Sequence, residues 1–168
     1  MGLPRNLLCI LTFLLICTAH AASSEQAAVA LLKWKCTLDS SSTRNLSSWS
    51  PANPICSWFG VLCSNATSHI IGLRLPGAGI KGQLDTLNFT VFPQLTELNL
   101  STNGLHGDIP ASLFLLQALV SLDLSFNRFK TFIPPKHGSL SNLISLRINN
   151  STSTSEGPYP TNSPSSPR

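Results

Sequence analysis

The residues able to do chemistry in this chain are few, and their spacing speaks for covalent decoration rather than catalysis. Six Asn-x-Ser/Thr sequons occur, at Asn45, Asn65, Asn88, Asn99, Asn149 and Asn150, each a candidate acceptor of an N-linked glycan on the secretory route. Asn149 and Asn150 adjoin, so one glycan at most is expected there. Five cysteines are present. Cys56 and Cys63 are close in sequence, and Cys36 stands apart from them. No Ser/His/Asp set or paired carboxylates share a usable spacing, so no catalytic residue is assigned. His137 has no second ligand near it in sequence, and neither a metal nor a cofactor is expected.

The compartment follows from the amino end. Arg5 precedes an apolar run from Leu7 to Ile16, and Ala19-His20-Ala21 supplies small residues for cleavage, which together predict a secretory signal peptide over 1–22. The run is shorter than the about 20 residues a membrane helix needs, and no later stretch is long and apolar enough to span. Cys9 and Cys17 leave with the leader. In an oxidising compartment the natural pairing is then a Cys56–Cys63 disulfide. Cys36 reads as a small buried hydrophobe in preference to an intermolecular or reactive thiol. Net charge is +4, with scattered basic residues and no interleaved aromatic cluster, so nucleic acid is excluded as a partner.

What positions these residues is a repeat. Leu95, Leu98 and Leu100 recur as Leu119, Leu122 and Leu124; Asn103 recurs as Asn127, and Ile109-Pro110 as Ile133-Pro134. Leu143, Leu146 and Ile148 open a further copy on the same 24-residue count. A fixed period in the twenties with the pattern LxxLxLxxN is the mark of a leucine-rich-repeat solenoid. Each LxxLxL reads as a short strand with one buried face, which stays unburied unless copies stack. After the strand the chain must turn, and Asn103 and Asn127 are placed to form a ladder that satisfies the backbone groups the turn leaves over. Pro110 and Pro134 argue against amphipathic helices.

The domain plan is a leader (1–22), an amino-terminal cap (23–68), repeats over 69–150 (70–94, 95–118, 119–142 and a partial 143–150), and a Ser/Pro-rich tail (151–168) predicted to be disordered. The fold class is an α/β solenoid in which a helical, disulfide-bonded cap precedes about 3.5 repeats with a concave parallel sheet. In the cap, Ser23 and Gln26 form a capping-box pattern ahead of a helix presenting Ala28, Leu31, Leu32 and Leu38, with Trp34 beside them. Thr37 to Asn45 reads as a polar loop, and Trp49 and Trp58 as packing residues. The first repeat has Ala78 in place of Asn, and His137 falls at a core-facing position of the third. The last copy leaves an uncovered apolar edge, which costs stability and invites association.

Ala30 to Lys35, then Leu46 to Trp49, then Cys56-x-Trp58-x-Gly60-Val61-x-Cys63 resemble the cap of plant leucine-rich-repeat receptor-like kinases. Leu105-x-Gly107-x-Ile109-Pro110 is similar to their plant-type LxGxIP repeat. The resemblance covers 25–148 and implies an ectodomain that recognises a protein or peptide ligand, or a co-receptor, in signalling or defence. It implies an apoplastic or cell-wall location, or the plasma membrane if the chain is a fragment of a receptor. No glycine-rich nucleotide loop, VAIK-like lysine, HRD-type loop or DFG occurs, so the chain is expected not to be an enzyme.

Binding is then expected on the concave strand face: Arg74, Thr96, Glu97, Asn99, Ser101, Ser121, Asp123, Ser125 and Arg147, with Val120, Ile144 and Ser145 between them. Four strands about 4.8 Å apart make a face only about 15–20 Å wide, marginal against the about 800 Å² a specific partner covers. That magnitude favours a truncated or accessory form of a larger receptor. The alternatives are a secreted inhibitor of a cell-wall-degrading enzyme, resembling the polygalacturonase-inhibiting proteins, or a non-functional receptor gene fragment.

Overall fold

The computed structural model describes residues 24–67, 69–130 and 140–148. The leader, Ser23, His137, Asn149, Asn150 and the tail lie outside the described residues.

The chain enters through α1 (24–37). Ala27, Leu31, Trp34 and Leu38 are buried, a three-to-four-residue spacing that lays one helical stripe on the core. Ala28 and Leu32 pack only partly against it, so the apolar face is rotated from Ala28 toward Ala27 and Trp34. The segment read as loop contains a single helical turn, α2 (Ser40–Thr43), whose Ser42 is buried.

Behind α1 the cap is held by stacked tryptophans. Trp34 and Trp49 have ring centroids 6.1 Å apart, and Trp49 and Trp58 stack at 5.7 Å. Each indole N–H reaches a carbonyl: Trp34 to Gln83, Trp49 to Phe59 and Trp58 to Asn53. Such pairing removes the cost of burying the indole nitrogen. Cys56 and Cys63 form a disulfide with a Cα–Cα distance of 5.6 Å. Between them Gly60 sits at φ +77°, and a side chain there would run into the carbonyl of Arg74. Cys36 is free and exposed, which corrects the expectation of a buried position. It lies on the outer side of α1, away from the stripe that packs.

Strand β1 (Val61–Cys63) pairs antiparallel with β2 (Ile70–Arg74). From β2 onward the concave sheet is parallel. Its order is β1-β2-β4-β6-β8, where β4 is Glu97–Asn99, β6 Ser121–Asp123 and β8 Ser145–Arg147. A second parallel sheet follows the turns: β3 (Lys81–Gln83), β5 (Gly104–Gly107) and β7 (Arg128–Phe129). The return path carries 3-10 turns at Phe89–Val91 and Ala111–Leu115. Leu73, Leu98 and Leu122 stack in one register row and are buried, whereas Leu146, next in that row, is 48 % exposed.

The asparagine ladder is built from the backbone upward. Asn103 Oδ1 accepts from Ile80 N, and its Nδ2 donates to the carbonyls of Leu75, Leu100 and Ser101. Asn127 repeats the pattern one layer on, with Leu105 N and the carbonyls of Leu100, Leu124 and Ser125. Each amide thus ties its own turn to the preceding repeat. Where the first repeat has Ala78, the cap substitutes. Asn45 Nδ2 donates to Ala78 O at 2.7 Å, and Ser42 Oγ accepts from Lys81 N at 2.8 Å.

Candidate functional site

The candidate site is the concave face of β2, β4, β6 and β8. Alternation turns Leu98 and Leu122 inward and leaves the residues on either side facing out. Register fixes two outward rows. One holds Gly72, Glu97, Ser121 and Ser145; the other holds Arg74, Asn99, Asp123 and Arg147. At the entry rim, Thr96 N donates to Ile71 O, Val120 N to Thr96 O and Ile144 N to Val120 O. This makes a third row of Ile71, Thr96, Val120 and Ile144.

Charge on this face is largely self-compensated. Arg74 Nε and Nη2 meet Glu97 Oε1 and Oε2 at 2.6 and 2.5 Å, a fork on two adjacent strands. Hydrogen bonding to Glu97, and then its charge, push the Arg74 pKa further up. A raised basic pKa contributes stability that is lost as pH rises through it, in strongly alkaline solution. Asp123 and Arg147 are register partners in the row that holds Arg74, two and three strands on.

Asn99 and Asp123 end their strands in the same way. Each Oδ1 accepts from the N–H and the hydroxyl of the residue two on, Ser101 at 3.1 and 2.8 Å, Ser125 at 3.0 and 2.6 Å. Ser101 and Ser125 are consequently buried. They were expected as exposed contact positions. The strand bends into the turn one residue earlier than simple alternation implies, and these hydroxyls are used inside the fold. Thr96, Arg74 and Arg147 are exposed, and Glu97, Asn99, Ser121 and Asp123 half-buried.

Apolar groups border the polar rows: Val120 and Ile144, already among the expected face residues, and Phe126 in the turn after β6. Val120 is at the margin of exposure, Ile144 is 87 % exposed and Phe126 is 59 % exposed. Phe126 has φ +56°, and Thr102, its repeat equivalent, φ +57°. The first repeat uses Gly77 at φ +59° at the matching turn. A bulky residue in the left-handed region is costly, and such strain is a pointer to function. No periodic sequence signal marks this strain, because only the first repeat carries glycine at this turn. Among the described residues no three His, Cys, Asp or Glu side chains gather to hold a metal.

No helix among the described residues is long and apolar enough to cross a membrane. The leucine rich repeat N-terminal domain matches residues 24–64, and the leucine rich repeat matches 94–116 and 118–140. A probable inactive receptor kinase of Arabidopsis thaliana is 33% identical over 129 residues, 76% of this chain and 19% of that protein. The MDIS1-interacting receptor like kinase 2 of the same plant is 39% identical over 112 residues, 63% of this chain and 10% of that protein. The chain thus spans between a tenth and a fifth of the length of these relatives. A chain of the crystal structure of the BIR3–SERK2 complex from Arabidopsis thaliana superimposes with a TM-score of 0.61 at 33% identity, covering 72% of this chain and 67% of that one. Cap, disulfide, parallel concave sheet and these likenesses lead to one assignment: the chain belongs to the plant leucine-rich-repeat family, with the cap-and-solenoid architecture of receptor-kinase ectodomains.

Proposed function

We propose that this chain recognises a protein or peptide partner, a ligand or the ectodomain of a co-receptor, through its concave face. The observation that carries the reading is the exposed aliphatic step of Val120 and Ile144 at the entry to the strands that carry the register partners Asp123 and Arg147. Exposed apolar groups rimmed by charge are what an interface core requires. With Arg74 already engaged by Glu97, the face offers neither a dense positive nor a dense negative field, which favours a partner of mixed apolar and polar character. The complex between two proteins named for the structural relative supports a role in ectodomain pairing. In this reading the extracellular segment binds and does not catalyse.

The test is affinity capture from plant extracellular fluid with quantitative mass spectrometry. Val120→Glu should remove a specific partner by about tenfold or more, the effect of losing a buried apolar contact at an interface centre. Leu115→Glu, on the return path, should leave capture unchanged. Equal capture by both variants would contradict the proposal.

A further inference from the structure

Away from the concave face, α1 and the 3-10 turn Phe89–Val91 leave an open groove of about 470 Å³, a volume within the range of small-ligand sites. Val29, Ala30 and Val91 give it an apolar side, and Gln26, Lys33 and Asn88 a polar one. Val29 is 59 % exposed, so among the described residues nothing covers this apolar surface of α1.

One wall of the groove carries its own attachment point. Asn88-Phe89-Thr90 is a sequon. Asn88 Oδ1 is held by Thr90, accepting from its N–H at 3.1 Å and its hydroxyl at 2.7 Å. Among the described residues, Nδ2 of Asn88 donates no hydrogen bond, and this is the atom to which a glycan is joined. The other sequons differ. Asn45 uses Nδ2 to reach Ala78 O at 2.7 Å. Asn99 is half-buried in the concave face. Asn65 lies on the exposed turn 65–67.

We propose that a glycan on Asn88 is a structural part of the cap, its first N-acetylglucosamine lying in this groove over Val29 and Val91. The bond forms between Nδ2 and C1 of the sugar as the C1–O bond to a polyprenyl-diphosphate-linked oligosaccharide breaks. The diphosphate leaves with the bonding electrons, and the amide gives up one proton. An N-acetylated sugar suits the site because its methyl group and ring C–H face are apolar while its hydroxyls are polar. Gln26 and Lys33 stand where those hydroxyls need partners. The inference rests on the secretory reading of the chain and is independent of what binds the concave face.

The protein should be secreted from cells that add high-mannose glycans, and occupancy at Asn88 measured by glycopeptide mass spectrometry. Amide hydrogen exchange across 24–37 is then compared in three forms: untreated, trimmed by endoglycosidase H to one sugar, and Asn88→Asp. The aspartate keeps the oxygen that accepts from Thr90 and removes the sugar. Asn88 should be occupied. The trimmed and untreated forms should exchange alike, and Asn88→Asp about threefold or more faster around Val29, with β4 and β6 unchanged. Asn65→Asp should leave 24–37 as it is. A vacant Asn88, faster exchange on trimming, no difference in Asn88→Asp, or loosening that extends through β4 and β6 would each overturn the proposal.

Discussion

Asn103 and Asn127 each engage four backbone groups with one amide. Removing such a side chain strands polar groups that the turn geometry cannot pair otherwise. Asn127 is 1 % exposed, so Asn127→Ala should lower unfolding free energy by about 3 kcal/mol, and the less buried Asn103→Ala by about half of that. Urea denaturation would measure both. The ladder was legible because asparagine at a fixed offset after a leucine strand has few other uses. The strain at the neighbouring position was not, since a left-handed residue carries no periodic signal unless it is glycine. Thr102, at φ +57°, provides its test. Thr102→Gly should raise stability by about 0.5–1 kcal/mol, the relief of left-handed strain less the entropy glycine adds to the unfolded chain.

Between elements, the cap does for the first repeat what each repeat does for the next. Ser42 and Asn45 tie the first repeat to the element before it, as Asn103 and Asn127 tie theirs, but through Lys81 N and Ala78 O. The gap at Ala78 was visible in the sequence, but its replacement was not, because it comes from residues some thirty positions upstream in a segment with no repeat pattern. The second sheet was invisible for a related reason: its strands, Lys81–Gln83, Gly104–Gly107 and Arg128–Phe129, share no common apolar and polar pattern. The cap helix was readable from its stripe, although Ala28 and Leu32 were placed on the buried face where Ala27 and Trp34 pack. The disulfide closes a short loop with a sequence separation of 7. Cys56→Ser or Cys63→Ser should cost about 2–3 kcal/mol by the chain-entropy account. Cys36→Ser should be neutral in the same thermal or urea melts, because that thiol is exposed and free. A cost at Cys36 equal to that at Cys63 would contradict the assigned pairing.

At the scale of the molecule, the cap covers the first repeat, and β8 is the last described strand of the concave sheet. Burial along the leucine row falls abruptly at Leu146, and the most exposed aliphatic side chain of the concave face, Ile144, lies beside it. Alternation and register set the polar residues of that face in rows across β2, β4, β6 and β8, while Ser101 and Ser125 turn inward. The apolar step at Val120, Ile144 and Phe126 gains its meaning only once the strands are stacked. It also bears on the narrow width expected for the face, since a small apolar centre can carry most of an interface's energy while its surroundings serve only to exclude water. The most direct test is site-specific photo-crosslinking in plant extracellular fluid. A benzophenone amino acid replaces Val120 in one form of the protein and Leu115 in another. The concave-face account predicts a discrete covalent adduct from position 120 and none from position 115. Adducts from 115 alone, or from neither position, would contradict it.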